Sequence, residues 1–278
     1  MNADRRTLAK MGRAAALVLS LPLAALAVPP ALGAESSFDA GWRAYEEGDF
    51  GQAMEIWGPL ANSGNLLAQY NVGVMYDEGR GVQPDRAKAI EWWQRAAEQG
   101  YSRAQHNLGL MHIGTFGTER DIDKAVFWLE KASSKGFARS QYTLGKMYES
   151  GMGVPQDQPR AFELIFAAGR AGFVRAQYNL GKMYRDGRGT VANPVESVKW
   201  FRRAADKGYA KAQEKLAQRY RAGDGVDKDL VEALKWASLA TRQGLNRAED
   251  LRASLQGQMT ADQVAEAKRR ADAFIAAE

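Results

Sequence analysis

Residues 176–181 read Ala-Gln-Tyr-Asn-Leu-Gly, and close variants of this stretch return at an interval of 36 residues. A fixed interval of this length is typical of a repeat solenoid, in which each unit buries its apolar face against its neighbours. The interval holds from about residue 65 to residue 244 and predicts one elongated all-α domain. Five blocks close on a glycine at the same spacing, namely Gly100, Gly136, Gly172, Gly208 and Gly244.

Each block divides into two helices, A and B. Helix A is predicted from Leu67 to Asp77 in the first full repeat, because apolar residues recur there at helical spacing. A glycine inside helix A costs up to about 1 kcal/mol relative to alanine. Its return in four repeats indicates that another backbone packs against that position. The inward stripe comprises Ala68, Val72, Met75 and Tyr76, and the helix-interior glycines are Gly73, Gly109, Gly145 and Gly181.

A tight turn with two glycines, such as Gly79-Arg80-Gly81-Val82, separates the two helices. We interpret it as structural, because a phosphate-binding loop would follow a strand and carry a lysine-serine pair. Helix B then begins at an N-cap residue, Asp85, Asp121, Asp157, Asn193 or Asp229. A tryptophan stripe inside helix B, interpreted as core, comprises Trp92, Trp128, Trp200 and Trp236.

The two ends of the chain depart from the pattern, as the capping units of solenoids do. Residues 35–64 are predicted to form a degenerate N-terminal capping repeat, and residues 65–244 hold five tandem repeats. Residues 245–278 are predicted to form C-terminal capping helices, one short and one longer. The whole chain would therefore contain about six to seven helix-turn-helix units.

The first 34 residues are predicted to be an export signal. Basic residues precede an apolar stretch from Ala14 to Val28, and small residues around Ala34 suit a cleavage site. Arg5-Arg6 also resembles a twin-arginine motif, so both the general secretory and the twin-arginine routes stay open. We expect a periplasmic protein, or a secreted one, with no stable membrane span after the signal is cleaved.

Composition and charge exclude some classes of function. Residues 1–34 hold four basic residues and one acid, so the formal net charge of +5 falls to about +2 without them. General nucleic-acid binding is therefore not expected. The chain has no cysteine, so the fold must be stabilised by packing without disulfides. No nucleophile–base pair, carboxylate pair or metal cluster is evident, and no cofactor is expected.

The repeated pattern resembles the Sel1-like repeat, a branch of the tetratricopeptide-type helical repeats. The resemblance rests on Ala-Gln-Tyr-Asn-Leu-Gly, the Gly-x-Gly-Val turn, and Asp-x-x-x-Ala-x-x-Trp, over about residues 40–250. It implies a right-handed superhelical α-solenoid with helix A on the concave side. It also implies an adaptor or scaffold role without shared catalytic residues. A cysteine-rich branch linked to penicillin binding is not a guide here, because this chain lacks cysteine.

The third helix pair carries both histidines of the chain. His106 and His112 are six residues apart and point about 120° away from each other on a helix, which disfavours a shared metal site. We interpret His112 as a core substitution and His106 as a groove residue. An enzyme alternative would require a pocket around His106, Thr115 and Glu119.

The helix A face opposite the core is the predicted partner-binding groove. Cations would line one edge of it, with tyrosines and amides along its floor. Either these residues bind a partner, or they form a solvated edge with the tyrosines packed on the next repeat. The predicted groove residues are Arg103, His106, Asn107, Arg139, Tyr142, Lys146, Arg175, Tyr178, Asn179, Lys182, Arg185, Lys211 and Arg221.

Charge is distributed unevenly along the chain. Residues 35–100 hold 5 basic and 11 acidic residues, whereas residues 173–244 hold 15 basic and 8 acidic ones. The basic part is suited to an acidic protein or peptide, and the asymmetry would also permit self-association. The sequence thus predicts an exported, non-enzymatic interaction scaffold of the bacterial envelope. The alternatives are a structural component of a secretion or polysaccharide-export machine and a cell-wall-directed hydrolase.

Overall fold

The computed structural model describes residues 37–114 and 119–276, and this part of the chain holds fourteen α-helices and no strand. The predicted signal segment lies outside the described residues. The chain divides into two compact units, residues 1–137 and residues 138–278. Unit 1 contains α1 (Ser37–Glu46), α2 (Phe50–Asn62), α3 (Leu66–Glu78), α4 (Arg86–Glu98), α5 (Ser102–His112) and α6 (Ile122–Ser134). Unit 2 contains α7 (Ala138–Ser150), α8 (Gln158–Arg170), α9 (Val174–Asp186), α10 (Pro194–Ala205), α11 (Ala210–Ala222), α12 (Leu230–Arg242), α13 (Asn246–Gln256) and α14 (Ala261–Ala276).

Each unit is a series of helix pairs in which each helix packs on the next helix of the chain, except that the last helix, α14, packs on α12. The prediction of an all-α solenoid is therefore confirmed. The core of each unit is rich in alanine, with large side chains filling the space between helices. Trp57 occupies this place in unit 1, and Trp236 does so in unit 2, each at most 1% exposed.

All five predicted N-caps of helix B are confirmed. In each, the side-chain oxygen accepts a hydrogen bond from a backbone N–H in the first turn, which satisfies a donor that the helix leaves unpaired. The Asp157 carboxylate, for example, accepts from the Arg160 N–H at 2.9 Å. The other four caps are Asp85, Asp121, Asn193 and Asp229.

The turn between helices A and B requires glycine for two reasons. Gly189 has a φ of 69°, in the left-handed region that side chains other than glycine rarely adopt. A Cβ atom at this position would also collide with the backbone carbonyl of Gln158, in the preceding helix B. The turn therefore fixes the approach of one repeat to the previous one, and its structural interpretation is supported by geometry.

The glycines inside helix A lie against large side chains of helix B. A Cβ on Gly181 would lie 2.5 Å from the Phe201 ring, and one on Gly73 would lie 2.5 Å from the Trp93 ring. Backbone also lies close, because a Cβ on Gly73, Gly109 or Gly145 would meet a helix B carbonyl at 3.2–3.3 Å. The predicted backbone approach is therefore present at these three glycines, and a helix B side chain is the nearest neighbour at all four.

Two repeated contacts join consecutive helix pairs. A glutamine at the start of helix A donates to a backbone carbonyl at the end of the preceding helix B, as Gln177 Nε2 does to Gly169 at 3.1 Å. Gln69, Gln105 and Gln213 make the equivalent bond. Before four of the A helices, α5, α7, α9 and α11, an aromatic residue packs edge-to-face on a ring in the previous helix A. The ring pairs are Tyr70–Tyr101, His106–Phe137, Tyr142–Phe173 and Tyr178–Tyr209.

Candidate partner-binding face

The A helices of unit 2, which are α7, α9, α11 and α13, lie next to one another on one side of the helix pairs. The amide of Asn179 on α9 donates to the hydroxyl of Tyr142 on α7 at 2.9 Å. On α13, the guanidinium of Arg247 lies 3.8 Å from the carboxylate of Glu214 on α11. We call this side of unit 2 the A face. Ten of the thirteen predicted groove residues belong to its helices.

The tyrosines of the A face are mainly packing residues. Tyr142 is 5% exposed and lies edge-on to Phe173 with 5.2 Å between ring centroids. Burial raises the pKa of Tyr142 above its ordinary value, although the hydrogen bond from Asn179 opposes the shift. Tyr178 is partly buried against Tyr209 at 5.2 Å. Of the two interpretations left open by the sequence, packing on the next repeat describes both rings.

In unit 1, the structure reverses the expectation for the two histidines. His106 is 5% exposed and packs on Phe137 with 5.4 Å between ring centroids, so it is a core residue and not an open groove residue. His112 is only partly buried, and burial lowers its pKa. The reason is that His106 takes the ring-stacking position that tyrosine holds in other repeats.

The other predicted residues of unit 1 give little support to a site there. Arg103 is exposed, and Asn107 is partly buried. Burial raises the pKa of Tyr101, and the charge of Arg103 and its hydrogen bond oppose this shift. The suggested enzyme pocket would combine His106 with Thr115 and Glu119, but His106 is buried and Thr115 lies outside the described residues.

A buried carboxylate organises the cations between α7 and α9. Glu149 is 8% exposed, and its two carboxylate oxygens bond to Lys146 and to Arg188. Its backbone carbonyl accepts from the amides of Gln156 and Gln158, each at 2.9 Å. Because both oxygens are occupied, Glu149 is neutralised within the fold, and Lys146 is tied to it.

Arg185 is likewise paired within its own helix. Its Nε and Nη2 atoms bond to the two oxygens of Asp186 at 2.5 and 2.9 Å. This forked hydrogen bond lowers the pKa of Asp186 below its usual range, with Arg188 and Lys182 contributing. Arg185 is therefore less available to a partner than its place in the repeat suggested.

A second buried carboxylate lies on α11. Glu214 is 3% exposed, accepts from the Gln218 amide at 2.8 Å, and lies 3.5 Å from the Lys215 ammonium. It replaces the tyrosine of the repeat, and this break in the pattern was visible in the sequence. Its pairing with Arg247 was not, because the two residues belong to different repeats.

Five predicted cations of the A face have no ion pair among the described residues. No carboxylate oxygen lies within 4.0 Å of their charged atoms. Lys211 and Arg221 are exposed, and the other three are partly buried. We call this set the cation row, and it comprises Arg139, Arg175, Lys182, Lys211 and Arg221.

A shallow cleft of about 440 Å³ lies between α11 and α13. Its lining residues are Gln218, Arg221, Ala222, Asp250 and Leu251. It is open to solvent on the A face and includes one end of the cation row.

Within the described residues, no group of three or more acidic or histidine side chains could hold a metal ion. No helix in that part of the chain is long and apolar enough to cross a membrane.

Comparison with protein families matches Sel1 repeats to residues 66–101, 102–137, 138–173, 174–209 and 210–245. The chain belongs to the Sel1 repeat family. The five copies coincide with the helix pairs from α3–α4 to α11–α12. A search of curated proteins found no match. Sel1 repeat proteins are generally non-catalytic scaffolds for protein interaction, and their partners are proteins.

Solved structures with a similar fold include other Sel1 repeat proteins. One from Oxalobacter formigenes is 27% identical, with a TM-score of 0.72 over 87% of this chain and 97% of that one. The uropathogenic Escherichia coli protective antigen c5321 is 25% identical, with a TM-score of 0.55 over 86% of this chain and 60% of that one. The immunity protein Pa5087 of Pseudomonas aeruginosa, at 20% identity and a TM-score of 0.50 over 77% and 84%, shows the fold alone.

Proposed function

We propose that this Sel1 repeat protein is an exported, non-enzymatic scaffold of the bacterial envelope that binds an acidic protein or peptide on the A face of unit 2. The observation that carries the proposal is the cation row. Its five side chains recur on three consecutive A helices and have no carboxylate within 4.0 Å among the described residues.

The cation row has an energetic cost that a partner would offset. Arg139, Arg175 and Lys211 lie in the first turns of α7, α9 and α11. Cations there oppose the helix dipole, a cost of about 0.3–1 kcal/mol each at exposed positions. An acidic partner would relieve this repulsion and would be attracted to the basic part of the chain. Ion pairs with a partner would therefore form where the fold itself supplies none.

The buried rings define how a partner would contact this face. Tyr142 and Phe173 hold α7 and α9 together and leave little of the Tyr142 ring for contact. A partner would therefore touch the cation row and the exposed edge of Tyr178. This arrangement is suited to an extended acidic segment that crosses several A helices and forms ion pairs with cations on each of them.

Export is proposed from residues 1–34 alone, which combine a basic start with an apolar stretch. Cell fractionation tests it. We expect the protein in the periplasmic extract with its N-terminus near residue 34, and we expect replacement of the apolar residues Leu17, Val18 and Leu19 by arginine to retain it in the cytoplasm. Recovery of the unprocessed wild-type chain from the cytoplasm would contradict export.

Affinity purification from envelope extracts tests the partner. The bait carries Arg139→Glu, Arg175→Glu and Lys182→Glu, and its matched control carries Arg160→Glu, Arg170→Glu and Lys199→Glu, three exposed cations of B helices. We expect one main partner with an acidic segment to be lost only with the A-face triple variant. Equal recovery with both triple variants would refute the proposed face, and recovery of a set of outer-membrane export proteins with both would favour a structural component of an export machine.

A further inference from the structure

Lys182 is a partly buried member of the cation row that lies beside other cations. It lies on α9, next to the ion pairs that Glu149 of α7 makes with Lys146 and Arg188. Its ammonium nitrogen lies 5.8 Å from the centroid of the Tyr178 ring, and no carboxylate of the described residues lies within 4.0 Å of it. Burial lowers the pKa of Lys182, and the charges of Arg188 and Lys146 lower it further.

The repeat explains why Lys182 lacks a partner. Lys146, the equivalent residue of the preceding repeat, pairs with Glu149 three residues later on the same helix. Three residues after Lys182 the chain has Arg185, a cation that is itself held by Asp186. The acid Glu149 of one repeat is thus replaced by the base Arg185 in the next, and Lys182 has no acid at the position where Lys146 finds its partner.

The charges around Lys182 do not balance. Four cations, Lys146, Lys182, Arg185 and Arg188, meet two carboxylates, Glu149 and Asp186. Both carboxylates already contact two cations each, since Arg188 Nε lies 3.5 Å from Asp186 as well as bonding to Glu149. The cluster therefore has an excess of two positive charges in a partly buried place, where unlike charges attract more strongly than in bulk water.

Other repeats lack this arrangement. The residues equivalent to Lys146 in unit 1 are Val74 and Leu110, and the residue equivalent to Lys182 on α11 is Gln218. The helix pair of the repeat therefore does not require this charge cluster, because the other repeats form the same pair without it.

We propose that Lys182 is the anchor of the A face and binds one aspartate or glutamate side chain of the partner, beside the ion pairs that Glu149 makes with Lys146 and Arg188. This inference rests on the proposed function and names the subsite within it. The incoming carboxylate bonds to the Lys182 ammonium and is attracted by Arg188. Glu149 opposes it, because this carboxylate already neutralises part of the cluster. Lys182 and Glu149 therefore affect binding with opposite signs.

Fluorescence anisotropy with labelled hexaglutamate at low salt tests the subsite on the full chain. We expect Lys182→Gln to weaken binding by about tenfold, as for the loss of one charge-assisted bond. The matched control is Lys199→Gln on α10, where the exposed lysine pairs with Glu196, and we expect it to change binding by less than about twofold. We expect Glu149→Gln to tighten binding by about threefold or more, because it removes the opposing charge. Circular dichroism verifies that each variant is folded, and Lys182→Gln alone decides the outcome if Glu149→Gln does not fold.

The outcomes separate the subsite from the proposed function. Equal binding by Lys182→Gln and Lys199→Gln, with loss in Arg139→Glu/Arg175→Glu, would overturn the Lys182 subsite and leave the cation row intact. If hexaglutamate bound to no form of the protein while an oligogalacturonate of similar charge bound through Lys182, the assignment to a peptide side chain would be wrong, and with it the acidic protein partner. If hexaglutamate binds, and if Lys182→Gln weakens and Glu149→Gln tightens this binding, both the Lys182 subsite and the acidic protein partner are supported.

Discussion

At the residue scale, the glycines inside helix A set how closely the two helices of a repeat approach. Gly181 leaves room for the Phe201 ring, which is fully buried. The helix accepts the conformational cost of glycine because the ring of its partner helix fills the space that a side chain would need.

Replacing Gly181 by alanine tests this explanation. We expect a loss of about 1–3 kcal/mol in the free energy of unfolding, because the new methyl group would lie 2.5 Å from the Phe201 ring. The control is Gly51→Ala in α2, where the new atom would meet its nearest neighbour, Asp49, at an ordinary 3.6 Å. There we expect no loss, or a gain of up to about 1 kcal/mol. Urea denaturation followed by circular dichroism measures both, and equal effects would contradict close packing as the cause.

His112 should make the stability of the protein depend on pH. Burial lowers its pKa in the folded state, so the unfolded chain takes up a proton first as the pH falls. The stabilising contribution of neutral His112 is thus present above the ordinary histidine pKa of about 6.5 and is lost as the pH falls through the lowered value. His112→Tyr, which restores the residue of the other repeats, should reduce the loss of stability between about pH 7 and pH 5. If the free energy of unfolding of the wild-type protein and of His112→Tyr fell equally with pH, His112 would not be the cause of the pH dependence.

At the element scale, each repeat is defined by the start of helix B. The N-cap places the helix directly after the turn, so the cap and the turn glycine together fix the register of the pair. The carboxylate of Asp229 accepts from the N–H groups of Val231 and Glu232 at 2.8 and 2.9 Å. Glu232, in the same first turn, also pairs with Arg270 and Lys235.

Asp229→Ala should therefore lower the free energy of unfolding by about 1 kcal/mol, within a range of roughly 0.5–2 kcal/mol. Asp227→Ala removes an equal charge from an exposed position of the same turn and should change it by less than about 0.5 kcal/mol. Thermal or urea unfolding of the two variants side by side measures the difference. A similar loss in both would mean that charge, and not capping, stabilises the helix.

The helices were predictable because their signals are local and repeated. Helix A was predicted from Leu67 to Asp77 and runs from Leu66 to Glu78, and the turn and N-cap before helix B are encoded within about ten residues. Contacts between repeats were harder to predict from the sequence. Phe173 and Tyr142 pack although they are 31 residues apart, a distance that follows from how one helix pair stacks on the next. The burial of His106 was missed for the same reason.

The candidate site was predictable in part. Carrying positions along the 36-residue interval placed Arg139, Arg175 and Lys211 at equivalent sites of three A helices. It did not distinguish free cations from paired ones, because pairing depends on neighbouring acids that do not recur at the interval, such as Glu149 for Lys146 and Asp186 for Arg185. Arg188, in the turn after α9, reaches Glu149 on α7, 39 residues earlier, and the interval alone does not indicate this bond.

At the scale of the whole molecule, charge is the main asymmetry, with residues 173–244 carrying a net charge of +7. Attraction of an acidic partner to this part should depend on ionic strength, because salt shortens the range of such fields to about 8 Å at 0.15 M. We expect the association rate with hexaglutamate, measured by stopped-flow, to fall by about tenfold or more between 0.02 and 0.3 M salt. A rate independent of salt would show that the net charge does not guide association.

The claim that the A face of unit 2 binds an acidic partner is tested most directly by photo-crosslinking in living cells. A photo-reactive amino acid replaces the exposed Lys211, and captured proteins are identified by mass spectrometry. We expect one dominant partner, crosslinked through an acidic segment, whose capture is lost when Arg139, Arg175 and Lys182 are changed to glutamate. We expect no such capture from a probe at Lys199 on α10. Capture from Lys199 but not from Lys211, or capture that persists in the triple variant, would contradict binding at the A face.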